Sequence, residues 1–192
     1  MNPASVAHPS EALHADDMAL MRSIATGMPG AFEVLVNRFQ QPVGRLAQRL
    51  LGTDADDVTQ DVFVTVLEKA GRFRGECSIW TWLTRITLNQ CRNRIRRQQV
   101  RRRFEQWFQR RQRESPASDV RAVASDKATI IRKAIDALPV RDREVIVLAY
   151  LEGRSPSEIA ELLSQSVNSV EVRLHRSRGR LREILSQSGV KP

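Results

Sequence analysis

Residues 155–176 read SPSEIAELLSQSVNSVEVRLHR, and this stretch predicts two short helices joined by a polar turn. Ser155 can cap the first helix, and Pro156 suits the first helical position, where no amide hydrogen is needed. Glu158 lies three residues after the cap, where its carboxylate can complete a capping box. The apolar pattern stops in the polar turn and resumes at Val167 with helical spacing. Two helices joined in this way are typical of the helix-turn-helix motif.

The second helix of the motif has an apolar face and an opposite face that is polar and cationic. The polar face holds Asn168, Glu171, Val172, Arg173, His175, Arg176 and Arg180. Side chains of this kind suit a DNA major groove and its phosphates. Arginine-rich helix faces are also often simply solvated. The capped first helix and the turn, taken together with the basic second helix, favour contact with DNA.

The composition indicates a globular protein with a polyanionic partner. The chain has 192 residues, of which 41% are hydrophobic, and this is enough for one or two small domains. Its net charge of +9 favours nucleic acid or an anionic membrane surface as partner. No apolar run approaches the roughly 20 residues that span a bilayer, and no signal peptide opens the chain. We therefore expect a cytoplasmic protein without membrane insertion.

The two cysteines, Cys77 and Cys91, give no evidence of a metal site or a disulfide framework. Neither has a cysteine or histidine at ligand spacing, and both are expected to be ordinary, partly buried thiols. We expect no metal and no cofactor.

The hydrophobic periodicity predicts an all-α fold, because strand alternation is sustained nowhere. It divides the chain into a flexible N-terminus (1–14), a first helical domain (15–97), a basic linker (98–125) and a second helical domain that carries the helix-turn-helix (126–188). Helical patterning begins near Asp16, and the first half of the linker is compatible with a helix.

One helix of the first domain is acidic, although the protein is basic. Thr53 is its expected cap, and Val58, Val62 and Val66 are expected to face inward. Its solvent side is then formed by Asp57, Gln60, Asp61 and Glu68. An acidic surface repels DNA, so the sequence predicts a second partner with a cationic surface.

A long helix from Ile79 to about Arg97 changes character along its length. Its first half is apolar, and its second half is rich in asparagine and arginine. Trp82 is expected in the core because of its helical spacing with other apolar residues. Trp80 lies on another side of the helix, and it is the candidate for stacking on unpaired bases.

With these segments assembled, the chain resembles a bacterial RNA polymerase sigma factor of the extracytoplasmic-function (ECF) subfamily. The resemblance covers about Ala19 to Leu185. Its motifs are Ala31-Phe32, DDVTQDVF (56–63), WLTRITLN (82–89), Ala137-Leu138-Pro139 with Arg143-Glu144-Val145, Glu158-Ile159-Ala160, Val170 and RLHRSR (173–178). Each fragment is short, but their order and spacing together are specific.

The resemblance implies a non-enzymatic sigma factor that binds core RNA polymerase and directs promoter-specific initiation. The first domain would bind the β′ clamp helices and would recognise and melt the −10 element. The second would read the −35 element as duplex DNA beside the β flap. The implied partners are core RNA polymerase, promoter DNA and an anti-sigma factor.

The resemblance also assigns residues, none of them catalytic. Polymerase binding falls on Asp57, Gln60 and Asp61. Contact with −10 DNA falls on Arg74, Gly75, Glu76, Cys77, Ser78, Trp80, Asn89, Arg92, Asn93, Arg96 and Arg97, of which 74–78 match the segment that captures a flipped base. Contact with −35 DNA falls on Ser169, Glu171, Val172, Arg173, His175, Arg176 and Arg178.

Three features depart from the family pattern. Relatives commonly carry a cation followed by serine where this chain has Glu171-Val172, which suits cytosine and a thymine methyl group instead. Ser164 stands where a turn glycine is frequent. The linker is strongly basic, whereas in relatives it is often acidic and threads the polymerase cleft.

Two other functions are compatible with parts of the sequence. The C-terminal half resembles that of free helix-turn-helix regulators, but the N-terminal half lacks the alternating strands and helices of a receiver domain. Asp54, Asp56, Asp57 and Asp61 could form the carboxylate cluster of a two-metal nuclease. These carboxylates lie on one helix, however, and no other acidic residues are placed to complete the coordination.

Overall fold

The computed structural model describes residues 9–52, 54–112 and 127–188, and these ranges contain helices but no strands. The helices are α1 (Pro9–Ala25), α2 (Ala31–Leu51), α3 (Ala55–Lys69), α4 (Ile79–Gln112), α5 (Lys127–Ala137), α6 (Val140–Ile146), α7 (Pro156–Leu163) and α8 (Val167–Gln187). A short 3₁₀ turn follows α3 at Ala70–Arg72, and a π-helical turn follows α6 at Val147–Leu151. The predicted all-α fold is confirmed.

The described chain forms two compact units. The first contains the described residues up to Gln48 and Gly52–Gln90, and the second contains Arg49–Leu51 and the described residues from Cys91 onward. The boundary falls inside α4, so this helix contributes to both units. The domain borders that the sequence predicts at residues 97 and 126 stay predictions.

The core of the first unit forms where the apolar stripes of α2, α3 and α4 meet. Val58, Val62 and Val66 of α3 are buried, as their spacing predicts. Leu35 of α2 and Leu83 of α4 are fully buried as well. This packing leaves the opposite side of α3 exposed to solvent.

The N-terminus of α4 is capped by Ser78, which directly precedes the helix, and by Asp17 of α1. The Ser78 hydroxyl accepts a hydrogen bond from the amide of Thr81 at 3.1 Å. The buried carboxylate of Asp17 accepts one from the amide of Ile79 at 3.0 Å and another from Arg38 at 3.3 Å. The first amides of a helix have no partner within the helix, so these bonds satisfy them. They also compensate for the burial of a charge.

Two helix ends differ from the sequence-based expectation. α1 begins at Pro9 rather than near Asp16, so the stretch 1–14 is helical in its described part, and residues 1–8 lie outside the described residues. α4 continues past Arg97 to Gln112, through the first half of the expected linker. The added part of α1 lacks an apolar stripe, so the periodicity could not indicate it. In the added part of α4, Val100, Phe104 and Phe108 follow helical spacing, which agrees with a first half of the linker that is compatible with a helix. The rest of the linker, 113–125, is not described.

In the second unit, a buried carboxylate on α6 holds α8 in place. Asp142 is only 5% exposed and forms ion pairs with Arg173, at 3.8 Å, and with Arg180. Both arginines belong to α8. A carboxylate taken out of water requires such partners, so the pairing fixes which side of α8 faces α6.

The helix-turn-helix forms with the predicted caps. The amide of Ser155 donates to the carboxylate of Glu158 at 2.8 Å, and the Glu158 amide donates to the Ser155 hydroxyl at 3.3 Å. The hydrogen bond from the Ser155 amide, with those from Arg154 and the Ser155 hydroxyl, lowers the pKa of Glu158 to about 2. Ser166 caps α8 by accepting from the Ser169 amide at 3.2 Å. The predicted motif is therefore confirmed down to its capping box.

The turn between α7 and α8 contains a left-handed residue that is not glycine. Ser164 has φ 53° and ψ 50°, and it is the one non-glycine residue with positive φ in the described ranges. A side chain makes this conformation costly by about 1–2 kcal/mol. Ser164 stands where relatives often have a turn glycine, and its backbone is therefore strained in a way that a glycine would avoid.

Replacing Ser164 by glycine should raise the free energy of unfolding by about 0.5–1 kcal/mol. The relief of left-handed strain exceeds the added entropy of glycine in the unfolded chain. Urea unfolding followed by circular dichroism measures the change. Ser166→Gly is the matched control, because Ser166 has φ −74° and its loss as a cap should lower stability by a few tenths of a kcal/mol. Equal or lower stability of Ser164→Gly would contradict the prediction.

Candidate functional site

The exposed side of α3 combines acidic and apolar residues. Asp57, Gln60 and Asp61 are exposed, as expected from the sequence. The same side continues with Val64 and Leu67, which are 54% and 51% exposed. The sequence analysis missed these two because a valine and a leucine at helical spacing resemble core positions. We call the five residues the α3 surface.

A pocket of about 340 Å³ lies where the chain turns from the 3₁₀ segment into α4. It is lined by Arg72, Phe73, Arg74, Gly75, Glu76, Cys77, Trp82 and Arg85. Pockets that hold small molecules begin at about 300 Å³, so the cavity has room for a single planar group. Its walls offer aromatic faces, guanidinium donors and one carboxylate acceptor.

Gly75 allows the pocket loop to approach α1 closely. Its φ is +70°, and a Cβ atom at this position would lie 2.7 Å from the sulfur of Met18. The left-handed backbone conformation therefore favours glycine, and a Cβ atom would also require the flexible end of the Met18 side chain to shift. Met18 was not singled out in the sequence, because its contact with the loop arises only when α1 folds against it.

The two tryptophans lie in surroundings other than those that the sequence suggested. Trp82, expected in the core, lines the pocket and makes an edge-to-face contact with Phe73 at 5.6 Å between ring centroids. Trp80, the candidate for stacking on bases, instead stacks on Phe39 with centroids 6.4 Å apart. Helical spacing could not separate the two, because the pocket wall is formed by a loop whose path the spacing does not reveal.

Two further residues that were predicted to contact −10 DNA, Ser78 and Cys77, lie in different surroundings. Ser78 caps α4, so its hydroxyl is occupied. Cys77 lies in the pocket, 3.9 Å from the guanidinium of Arg85. Neither Arg85 nor Arg72 was predicted to belong to the site, although Arg85 stands three residues after Trp82 and therefore on the same side of the helix. Cys91 lies away from the pocket, and burial raises its pKa to about 12.

The middle of α4 presents polar residues beyond the pocket. Asn89, Asn93, Arg96 and Arg97 are exposed, as predicted. Arg92 is different because its guanidinium donates two hydrogen bonds to the carboxylate of Glu144, at 2.6 and 2.8 Å. This contact raises the pKa of Arg92. Arg92 therefore serves packing within the second unit in this structure.

The exposed side of α8 contains most of the predicted duplex-binding residues. Ser169, Glu171, Val172, His175, Arg176 and Arg178 are exposed. Arg173 is half-buried and is paired with Asp142, so it anchors the helix. Asn168 is exposed on the same side and was left out of the predicted set. The helix thus offers an acceptor at Glu171, a methyl-bearing surface at Val172 and cations beside them.

The carboxylates of the nuclease alternative do not come together. Among the described residues, no group of three or more His, Cys, Asp or Glu side chains is placed to hold a metal ion.

None of the helices in the described ranges is long and apolar enough to cross a membrane.

Comparisons with known proteins identify the family. A family model described as Sigma-70 region 2 matches residues 35–101, and one described as Sigma-70, region 4 matches residues 128–181. The ECF RNA polymerase sigma factor SigM of Mycobacterium tuberculosis is 30% identical over 176 residues, covering 88% of this chain and 84% of SigM. The chain belongs to the ECF RNA polymerase sigma factors. It therefore binds core RNA polymerase and directs promoter-specific initiation through its −10 and −35 regions.

Solved structures agree with this sigma factor in fold. CnrH, in its complex with the cytosolic domain of CnrY, is 29% identical and has a TM-score of 0.59, covering 89% of this chain and 97% of CnrH. The sigma factor RpoE of Bartonella quintana, in complex with the anti-sigma factor NepR, has a TM-score of 0.57 at 22% identity, covering 81% and 96%. The second likeness concerns the fold alone.

On the assignment of residues 74–78 to −10 DNA that the resemblance implies, Gly75→Ala should slow promoter opening about tenfold while leaving polymerase binding intact. The added methyl group forces the loop out of a left-handed conformation that costs about 1–2 kcal/mol with a side chain, and it displaces Met18. The fluorescence of a 2-aminopurine base in the −10 element reports opening.

Gly27→Ala provides the control for this prediction. Gly27 also has positive φ, at 72°, but nothing lies within 4 Å of its would-be Cβ atom. It should lose stability without slowing opening. Equal opening rates in Gly75→Ala and the parent protein would show that the loop does not need this conformation.

Proposed function

We propose that the first unit docks on the polymerase and captures −10 DNA, and that the helix-turn-helix of the second unit reads −35 duplex DNA. The observation that carries this division is the placement of opposite charges on separate helices. The α3 surface is acidic and apolar, whereas the exposed side of α8 carries arginines and a histidine. One surface suits a cationic protein, and the other suits phosphates.

The α3 surface is the proposed contact with the β′ clamp helices. Asp57 and Asp61 supply charge, and Gln60 supplies hydrogen bonds. Val64 and Leu67 add exposed apolar area, which gives affinity through removal of nonpolar surface from water. We therefore extend the proposed docking surface by these two residues.

The pocket beside α4 is the proposed site of a flipped −10 base. Trp82 and Phe73 supply aromatic faces, and base stacking on such faces contributes about 1–3 kcal/mol. The removal of a base from the stack costs a few kcal/mol, so stacking and the polar lining together can offset it. Asn89, Asn93, Arg96 and Arg97 would hold the strand's backbone on the following helix turns, without the contributions first expected from Arg92 and Trp80.

The exposed side of α8 is the proposed reader of the −35 element. Ser169, Asn168 and Arg176 lie near the N-terminal half of the helix, which enters the groove in helix-turn-helix proteins. Glu171 can accept a hydrogen bond from cytosine, and Val172 can contact a thymine methyl group. Arg173 acts through Asp142 as a positioning residue rather than as a base contact.

A protein inhibitor is the proposed further partner. Bartonella RpoE was solved with an anti-sigma factor, and CnrH was solved with the cytosolic domain of CnrY. Family membership supports an anti-sigma factor for this chain, and it supports a cytoplasmic site of action, where core polymerase works. The protein is proposed to perform no covalent chemistry, because transcription catalysis belongs to the polymerase.

Co-elution with bacterial core RNA polymerase, together with transcripts from promoters of the host genome, is the experiment that tests the function as a whole. Promoter-specific transcripts are the expected result. DNA binding without polymerase binding would favour a free regulator and would contradict the proposal.

Asp57→Arg should abolish polymerase binding and leave −35 duplex binding intact, whereas Arg176→Ala should do the reverse. The first change places a cation on a surface proposed to meet cations, and the second removes a phosphate or base contact. Co-elution and fluorescence anisotropy measure the two activities.

Glu33→Arg is the matched control for Asp57→Arg. Glu33 is exposed on α2 and is not one of the five residues of the α3 surface, and the charge change is the same. It should leave polymerase binding intact. Equal damage to both activities by Asp57→Arg and Arg176→Ala would contradict the two-surface division.

Glu171→Lys should change the sequence preferred at the −35 element. The substitution replaces an acceptor that suits cytosine with a donor that suits guanine, and one such contact discriminates by about 1–3 kcal/mol. Selection from a randomised duplex pool measures the preference. A uniform gain in affinity across all sequences would mean that Glu171 does not read a base, because only the phosphates would have sensed the new charge.

A further inference from the structure

Two consecutive residues of α1 hold the two ends of the chain segment 75–79, which runs along the pocket into α4. Met18 packs against the first end, where a Cβ atom at Gly75 would lie 2.7 Å from its sulfur. Asp17 holds the other end by accepting a hydrogen bond from the amide of Ile79 at 3.0 Å. Residues 75–77 between these points line the pocket. The path of the segment is therefore set from α1, a helix to which the sequence assigned no part in −10 recognition.

Asp17 is itself fixed by burial and by an ion pair. It is 4% exposed, and its second oxygen accepts from the guanidinium of Arg38 on α2 at 3.3 Å. Arg38 also lies over the ring of Phe39, 4.8 Å from the centroid, and Phe39 stacks on Trp80, the second residue of α4. A buried carboxylate that accepts from two donors has little freedom to turn. Asp17 therefore ties the start of α4 to both α1 and α2.

The start of α4 decides where the pocket-lining side chains of this helix lie. Trp82 and Arg85 line the pocket, and they stand three and six residues after Ile79. At 1.5 Å per residue, they lie about 4.5 and 9 Å along the helix axis from the bonded amide. A carboxylate suits this end of the helix, because the first amides have no partner within the helix and carry a partial positive charge. A displaced start would move both side chains.

We propose that Asp17 and Met18 are positioning residues for capture of the flipped −10 base. Neither side chain touches the base. They act through segment 75–79, which they hold against α1 so that the loop wall and the α4 wall of the pocket stay at a fixed separation. This inference rests on the proposed function of the pocket. It makes α1 a part of the promoter-opening apparatus and not only a cover for the core of the first unit.

The rate at which the holoenzyme opens a promoter of the host genome, followed by a 2-aminopurine base in the −10 element, tests the proposal. Asp17→Ala should slow opening about tenfold, since a misplacement of about 1 Å in a reacting site can cost up to about 100-fold in rate. The holoenzyme concentration that half-saturates the promoter should stay unchanged. Asp17→Asn should recover most of the lost rate, because its amide oxygen can still accept from the amide of Ile79.

Fluorine NMR of the free, full-length protein follows the pocket wall itself. The tryptophans are replaced by fluorotryptophan, and the resonance of Trp82 is assigned from its loss in Trp82→Phe. Asp17→Ala should shift or broaden this resonance, because Trp82 lines the pocket one helical turn after the lost cap. Asp17→Asn should return the resonance to its parent position. The signal reports the geometry of the folded protein, which a loss of stability alone does not change.

Met21→Ala and two changes at Met18 are the controls. Met21 is 1% exposed on the same helix, so its truncation lowers stability through a cavity, while both contacts of α1 with segment 75–79 remain. Met21→Ala should therefore leave the opening rate and the Trp82 resonance unchanged. Met18→Ala removes the support under Gly75 and should slow opening. Met18→Leu should open at the parent rate, because leucine conserves the apolar volume.

Three outcomes would overturn the inference: a parent opening rate in Asp17→Ala, slowed opening without a change in the Trp82 resonance, or equal slowing by Met21→Ala. Trp82→Ala tests the proposed function of the pocket separately. A parent opening rate in that variant would show that the pocket does not capture a base, and the proposed function would fail at this site. Slowed opening in Trp82→Ala together with a parent rate in Asp17→Ala would leave base capture standing and would sink the positioning role alone.

Discussion

The buried carboxylate of Asp17 is the contact on which the promoter-opening half of this protein depends. One oxygen accepts from the amide of Ile79, at the start of α4, and the other accepts from Arg38 on α2. A single side chain of α1 thereby joins α2 to the start of α4, the helix that supplies Trp82 and Arg85 to the pocket. The next residue, Met18, packs on Gly75 and supports the loop. Because α4 carries part of the pocket wall and the exposed residues that are proposed to contact −10 DNA, its N-terminal cap fixes the origin of both.

A second buried carboxylate positions α8, the second helix of the helix-turn-helix. Asp142 pairs with Arg173 and Arg180, which stand two helical turns apart on α8. Burial makes the loss of these partners costly, because an unpaired carboxylate cannot remain charged in an apolar setting. The pairs therefore resist rotation of α8 about its axis. Glu171, Val172 and Arg176 remain exposed as a consequence, so the face that is proposed to read −35 DNA is set by ion pairs within the protein.

Charge is sorted by helix in this sigma factor rather than spread over its surface. The α3 surface is acidic with apolar neighbours, whereas residues 92–112 hold nearly the whole positive excess. Separation of this kind suits the proposed division of partners, in which the α3 surface meets a cationic protein surface and other helices meet DNA. The sequence made this sorting visible, because the helical repeat places Asp57, Gln60 and Asp61 together and the arginine run needs no folding to be counted.

The sequence by itself determined the all-α fold, the capped helix-turn-helix, the buried stripe of α3 and the family, because caps, apolar spacing and motif order are local properties of the chain. It did not reveal that Trp82 rather than Trp80 lines the pocket, that Arg85 and Met18 support it, or that Arg92 and Arg173 are held by Glu144 and Asp142. Those pairings join residues far apart in the chain. Only the tertiary structure decides them, because the partner of an exposed-looking cation or ring depends on which helix packs beside it.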